Sequence, residues 1–122
     1  MGFSYCLNTS TIRSAGATIL DAIDTAAEAG WDGIEPWVQE LDELADAGGT
    51  LEQVRTRAED RGLAIVNLIG FPEWAVPEAD RRARGLEEAG RCFDMARALG
   101  CPFVAAPPFG IHDRVVELRP VA

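Results

Sequence analysis

Apolar and polar residues alternate along the chain in blocks that repeat one strand–helix unit. Phe3–Leu7 reads as a short apolar strand. After the polar stretch Asn8–Gly16, the apolar positions Ile19, Ile23, Ala26, Ala27 and Gly30 fall on one face of a helix. Thr18 with Asp21 supplies a helix-start signal, and Gly30 suits the left-handed position just past a helix end. The unit then recurs. Gly33-Ile34-Glu35-Pro36 is the second strand, ended by its proline. Trp37–Gly49 is an acidic connection with room for one or two helical turns. A second helix follows from the Thr50/Gln53 capping pair, buries Leu51, Val54 and Ala58, and stops at Gly62. Leu63–Leu68 is a nearly unbroken apolar run, as expected of a strand buried on both faces. A loop rich in aromatic residues and proline covers Gly70–Pro77. The third helix carries Ala79, Ala83, Leu86, Gly90, Phe93 and Ala96 on its predicted buried stripe, and Pro102–Ala106 is the fourth strand.

The order is βαβαβαβ, an α/β pattern in which parallel strands are joined by right-handed crossovers. Periodicity alone leaves two architectures open, a doubly wound open sheet and a closed barrel. With 122 residues the chain has one domain's worth of material, and 48% hydrophobic residues are enough for a packed core. A complete (β/α)8 barrel takes about 250 residues, so this chain holds material for about half. Residues 1–110 are expected to form four strands and three helices, and 111–122 a short irregular tail.

Charge narrows the partners. Eleven basic residues face twenty acidic ones, a net charge of -9, which argues against nucleic acid, whose binders present basic faces. Arg81, Arg82 and Arg84 lie among Glu78, Asp80, Glu87 and Glu88 and read as a solvated helix face. No stretch approaches a membrane span, and the N-terminus has no secretory pattern. Cys6, Cys92 and Cys101 form no Cys-x-x-Cys pair and read as reduced thiols of a cytoplasmic protein. The sequon Asn8-Thr9-Ser10 then has no consequence, and Cys6 spoils the myristoylation pattern that Met1-Gly2 begins.

In either architecture ligands bind at the C-terminal ends of parallel strands. Those ends carry Asn8–Thr11 and Arg13, then Glu35 and Trp37, then Asn67 and Gly70–Trp74, then Pro107–Asp113. Asn8, Glu35, Trp37, Asn67 and Trp74 fit a carbohydrate pocket, with amides and a carboxylate for hydroxyls and aromatic faces for stacking. Four of them also have a structural reading: Glu35 as a helix cap, Asn8 within Asn8–Thr11 as a helix-entry loop, the two tryptophans as cover. No Gly-rich dinucleotide or nucleotide loop occurs. His112 is the sole histidine, so a catalytic triad has little to stand on. The pair His112-Asp113 is weak support for a metal site.

The opening Leu7-Asn8-Thr9-Ser10-Thr11-Ile12 and the run from Ala26 through Gly30-Trp31-Asp32-Gly33-Ile34-Glu35 resemble the start of the xylose isomerase-like TIM barrels, and Leu99-Gly100-Cys101-Pro102 fits the same pattern. The likeness covers about residues 3–110. It implies a closed barrel, here its N-terminal half, and sugar (phosphate) isomerase or epimerase chemistry. It also implies a divalent metal (Mn, Mg or Zn) in the complete barrel. In that family the metal ligands and proton-transfer carboxylates come mainly from strands five to eight. The resemblance therefore assigns no metal ligand and no catalytic base to this chain, which alone is expected to be inactive and to self-associate or pair with a second half-barrel. Two rivals stand beside this expectation. One is a small α/β binding or assembly module that pairs through open sheet edges. The other is a relative of the family's abasic-site endonucleases, whose histidines at strands three and four are replaced here by Asn67 and Pro107.

Overall fold

A computed structural model describes residues 2–111. The expected tail beyond Ile111, with His112-Asp113, lies outside the described residues. The elements are β1 (Cys6–Asn8), a 3-10 turn (Thr9–Ile12), α1 (Ile19–Glu28), β2 (Gly33–Glu35), α2 (Val38–Asp46), α3 (Leu51–Asp60), β3 (Ala64–Ile65), β4 (Leu68–Ile69), α4 (Ala79–Leu99) and β5 (Val104–Ala105). All strand pairs are parallel. β1 pairs with β2, β2 with β3, and β4 with β5.

The expected strand at 63–68 is thus broken into β3 and β4, but its hydrogen bonds show one bulged strand. Val66 donates to Ile34 and Ile69 donates to Pro36. Three residues on one strand therefore oppose two on the other, so one residue between them is extra. Past the bulge, Leu68 and Gly70 donate the other way, to Phe103 and Ala105. A bulge bends a strand and re-aims its side chains, and Asn67 sits in it.

Strand alternation separates two faces. Leu7, Ile34 and Ile65 are register neighbours and are buried on the helix side. Cys6, Gly33 and Ala64 form the next row on the opposite face, and Asn8 and Glu35 pair on that same face at the strand ends. The approach at Gly33 is close. A Cβ there would lie 2.9 Å from the Ala64 carbonyl oxygen, which explains a glycine inside the Asp-Gly-Ile-Glu strand. Asp32 caps the entry by accepting from the Tyr5 N–H at 2.8 Å. The core joins this sheet to Ile19, Ile23 and Ala26 of α1, Leu41 and Leu44 of α2, Val54 and Ala58 of α3, and Cys92 and Leu99 of α4.

The helix starts follow their sequence signals. Thr18/Asp21 and Thr50/Gln53 both form complete capping boxes. Gly30, with φ of 83°, turns the chain out of α1 in the left-handed region. Three expectations change. The acidic connection after Trp37 holds a nine-residue helix rather than one or two turns. The first strand begins only at Cys6, with Phe3 and Tyr5 exposed. On α4 the buried positions are Gly85, Cys92, Met95, Ala96 and Leu99, while Leu86 and Phe93 are 56% and 55% exposed. The heptad spacing Gly85–Cys92–Leu99 marks the face used, and the loop before α4 fixes that choice. A Cβ at residue 85 would meet the Glu73 carbonyl carbon at 2.4 Å, so the loop lies directly on that side of the helix.

Arg81 and Arg82 are half-buried and hold this loop rather than forming a freely solvated face. Arg81 pairs with Glu73 through two N–H groups, and Arg82 donates to the carbonyls of Val76 and Pro77 at 3.0 Å each. No helix among the described residues is long and apolar enough to cross a membrane.

Candidate substrate wall at the strand ends

Four of the five expected site residues come together where β1 and β2 end beside the bulge at Asn67. Asn8 and Glu35 are direct register partners. The Asn67 amide approaches Glu35 at 3.4 Å (Nδ2 to Oε1), a long contact near the limit of hydrogen bonding. The Trp37 indole N–H donates to the Asn8 side-chain oxygen at 2.8 Å. That oxygen also accepts from the Ser10 backbone N–H and hydroxyl, at 3.1 and 2.8 Å. Asn8 is thereby fixed with its oxygen turned inward to the protein, and its amide N–H groups donate to no described residue. The Glu35 carboxylate is similarly left with its one long contact. Trp74 stands apart from this group: it is 40% exposed and donates to the Ala106 carbonyl at 2.9 Å, tying the aromatic loop to the exit of β5.

A second layer, missed in the sequence, holds the first. Glu40, in the first turn of α2, is 7% exposed. Its Oε2 accepts from the fully buried Thr9 hydroxyl and from the Trp37 backbone N–H, the latter at 2.9 Å. Its Oε1 lies 3.7 Å from Arg13 Nε. The readable signal was the spacing Trp37-x-x-Glu40, which places a carboxylate at the third helical position, where it caps its own helix start. Thr9 also donates to the Glu35 carbonyl at 3.2 Å, so one hydroxyl links β1, β2 and α2.

Trp37 is covered on its ring. The Arg13 guanidinium lies 5.3 Å from a Trp37 ring centroid, and Phe71 is 5.0 Å from it at a 47° tilt. Phe109 extends the row from Phe71 at 5.5 Å, edge-on. An indole held in this way orients Asn8 more than it offers a free stacking face. Beside it, a groove of about 400 Å³ opens between α2 and the aromatic loop, bordered by Trp37, Asp42, Ile69, Phe71 and Glu88.

Cys6, one row below Asn8 on the same face, has its thiol pushed up to about 11 by burial and then by the Glu35 charge. Cys6, Cys92 and Cys101 are all free. Among the described residues no three His, Cys, Asp or Glu side chains gather to hold a metal ion. The residues here do not fit a metal centre.

Parallel strands in barrel order, crossover helices on one side and a polar row at the strand ends define the N-terminal portion of a (β/α) barrel. The chain belongs to the xylose isomerase-like TIM barrel family, whose model matches residues 23–118. A 3-dehydroshikimate dehydratase of Pseudomonas putida is 32% identical over 110 residues, covering 85% of this chain and 17% of its own. Several solved structures share the fold. D-psicose 3-epimerase, determined in the presence of D-fructose, superposes with a TM-score of 0.70 at 21% identity, covering 84% of this chain and 36% of its own. The IolI protein with a bound zinc atom superposes with a TM-score of 0.73 at 17% identity, covering 85% and 37%. The chain thus spans about a sixth of the curated relative and little more than a third of the solved barrels.

Proposed function

We propose that this chain is the substrate-facing N-terminal half of a barrel that moves the proton next to a carbonyl in a small polyhydroxylated compound. The observation that carries this reading is the pair Asn8 and Glu35 at the strand ends with Asn67 of the bulge beside them, amide and carboxylate groups open to a ligand. Support comes from the family and from relatives named as a dehydratase and a sugar epimerase. Removal of a C–H proton beside a carbonyl leaves an enolate in both chemistries. Returning a proton to carbon gives isomerisation or epimerisation. Expelling a hydroxyl group from the next carbon, protonated as it leaves, gives dehydration.

In this reading Asn8 donates to a hydroxyl or carbonyl oxygen, Glu35 accepts from hydroxyls, and Asn67 does either. Trp37 and Trp74 exclude water. The proton-transfer groups and the divalent metal that the family resemblance implies belong to the rest of the barrel. We place the protein in the cytoplasm, consistent with its three free thiols.

The test is a chimera in which residues 3–110 replace the matching segment of the Pseudomonas putida relative. Turnover is expected. Glu35→Gln should lower kcat/KM about tenfold to a hundredfold, as for loss of a hydrogen bond to a charged group, with metal content unchanged. Unchanged kinetics would reduce Glu35 to a structural cap, and loss of metal would make it a ligand.

The second reading, an assembly module, is favoured by apolar exposure beside strand β5: Phe103, just before it, is 69% exposed. Open strand edges invite pairing. Light scattering of the chain across a concentration series separates the two. Discrete dimers that Phe103→Asp dissociates would support the module.

A further inference from the structure

We propose that a second copy of this chain closes the barrel: a two-fold axis along the strands sets β5 of each copy beside β1 of the other. The inference rests on the assembly reading above and names its partner and geometry. β1, β2, the bulged β3–β4 strand and β5 make four parallel strands, and among the described residues no strand lies beyond β1 or β5. Both outer edges carry unused backbone groups. Gly33 donates to the Tyr5 carbonyl, so the next residue, Cys6, turns its N–H and C=O away from β2. Leu68 and Gly70 donate to Phe103 and Ala105, so Val104 between them turns its own away from β4.

The charge pattern says what these edges accept. Open strand edges are ordinarily guarded by charged side chains. Residues 1–12 and 98–111, which carry the two edge strands, contain no Asp, Glu, Lys or Arg, in a chain that is 25% charged. Phe3, Tyr5 and Phe103 are exposed there instead. A chain of net charge -9 resists its own copies over most of its surface, but these two stretches set no like charges against each other. Geometry fixes the number of copies. Every strand is parallel, so a rotation about an axis along them leaves all eight pointing one way. Eight is also the number of strands whose interior side chains just fill a barrel. Val104 packs on the helix-side core, so alternation turns Phe103 to the opposite face, that of Cys6, Gly33 and Ala64. That row is small, and the two copies of Phe103 fill the space it leaves, as large and small side chains alternate inside small barrels. The shared mouth carries two Asn8–Glu35 pairs, one from each copy.

Analytical ultracentrifugation of the native chain should show one species of twice the chain mass, with nothing larger as concentration rises, because the ring has no edge left to pair. Hydrogen exchange followed by NMR should find the Cys6 and Val104 amides both protected in that dimer. Phe103→Asp and Cys6→Arg, one at each edge, should each weaken dimerisation about a hundredfold or more, since the ring buries the unpaired charge twice. Circular dichroism checks that each variant keeps its helices, and either one carries the test if the other does not fold. A folded variant that dimerises as tightly as the native chain overturns the inference. A dimer that protects only one of the two amides pairs like edges together, so the assembly reading stands and the ring falls. Growth beyond the dimer has the same meaning. A monomer at every concentration removes the assembly reading, and the inference with it.

Discussion

The Trp37 indole N–H donates to the Asn8 side-chain oxygen at 2.8 Å, across 29 residues of sequence. That bond fastens the end of the first strand to the start of the second helix and turns the Asn8 amide N–H groups outward.

Trp37→Phe keeps an aromatic ring against Phe71 but removes the donor. Asn8 retains its bonds from Ser10, so the cost should be modest, about 1 kcal/mol in urea unfolding. The clearer sign should be broadening of the Asn8 side-chain amide signals in NMR spectra. A sharp, unshifted Asn8 amide in the variant would show that the indole does not orient it.

Glu40 makes a stricter demand. Glu40→Leu leaves the Trp37 N–H without its acceptor and the buried Thr9 hydroxyl with only the Glu35 carbonyl, and should cost roughly 1–3 kcal/mol, the scale of one buried donor left without its partner. Glu40→Gln keeps an acceptor oxygen and should lose clearly less. Chemical denaturation of the three proteins side by side checks the order, and equal losses would mean that burial alone matters at this position.

Acid should release the first helix cap. The Asp21 carboxyl is held below its ordinary value of 3.8, first by the Thr18 backbone N–H and then by the Thr18 hydroxyl. A carboxyl lowered in the folded state stabilises it when ionised, so its contribution is full above the unfolded value and disappears as pH falls through the folded one. The gap in denaturation midpoint between the native chain and Asp21→Asn should therefore be widest near neutrality and close in acid. A gap that grows in acid would reverse the assignment.

Cys6 offers a chemical probe of the strand-end face. With its thiol raised to about 11, it should react with iodoacetamide at mildly alkaline pH much more slowly than a small free thiol, despite being exposed. Glu35→Gln removes part of the cause and should speed the reaction measurably. Identical rates in the two proteins would place Glu35 too far away to act on it.

The alternation of strand and helix, the capping pairs at Thr18 and Thr50 and the turn at Gly30 are local features, and the sequence alone determined them: each depends on residues a few positions apart. It also placed Asn8 and Glu35 at strand ends, because a strand end is marked by where an apolar run stops. Tertiary structure decided what depends on contact between distant residues. Leu63–Leu68 reads as one strand, yet its two neighbouring strands demand hydrogen-bond registers that differ by one residue, and the bulge at Asn67 absorbs the difference. Leu86 and Phe93 have the hydrophobicity of core positions. The loop lying against Gly85 turned α4 so that Cys92 and Leu99 face inward instead. Glu40 looked like one more acid in an acidic stretch, and only the arrival of Thr9 and Trp37 made it a buried acceptor. Burial and hydrogen-bond satisfaction are properties of the assembled neighbourhood, which hydrophobic periodicity along one segment does not contain.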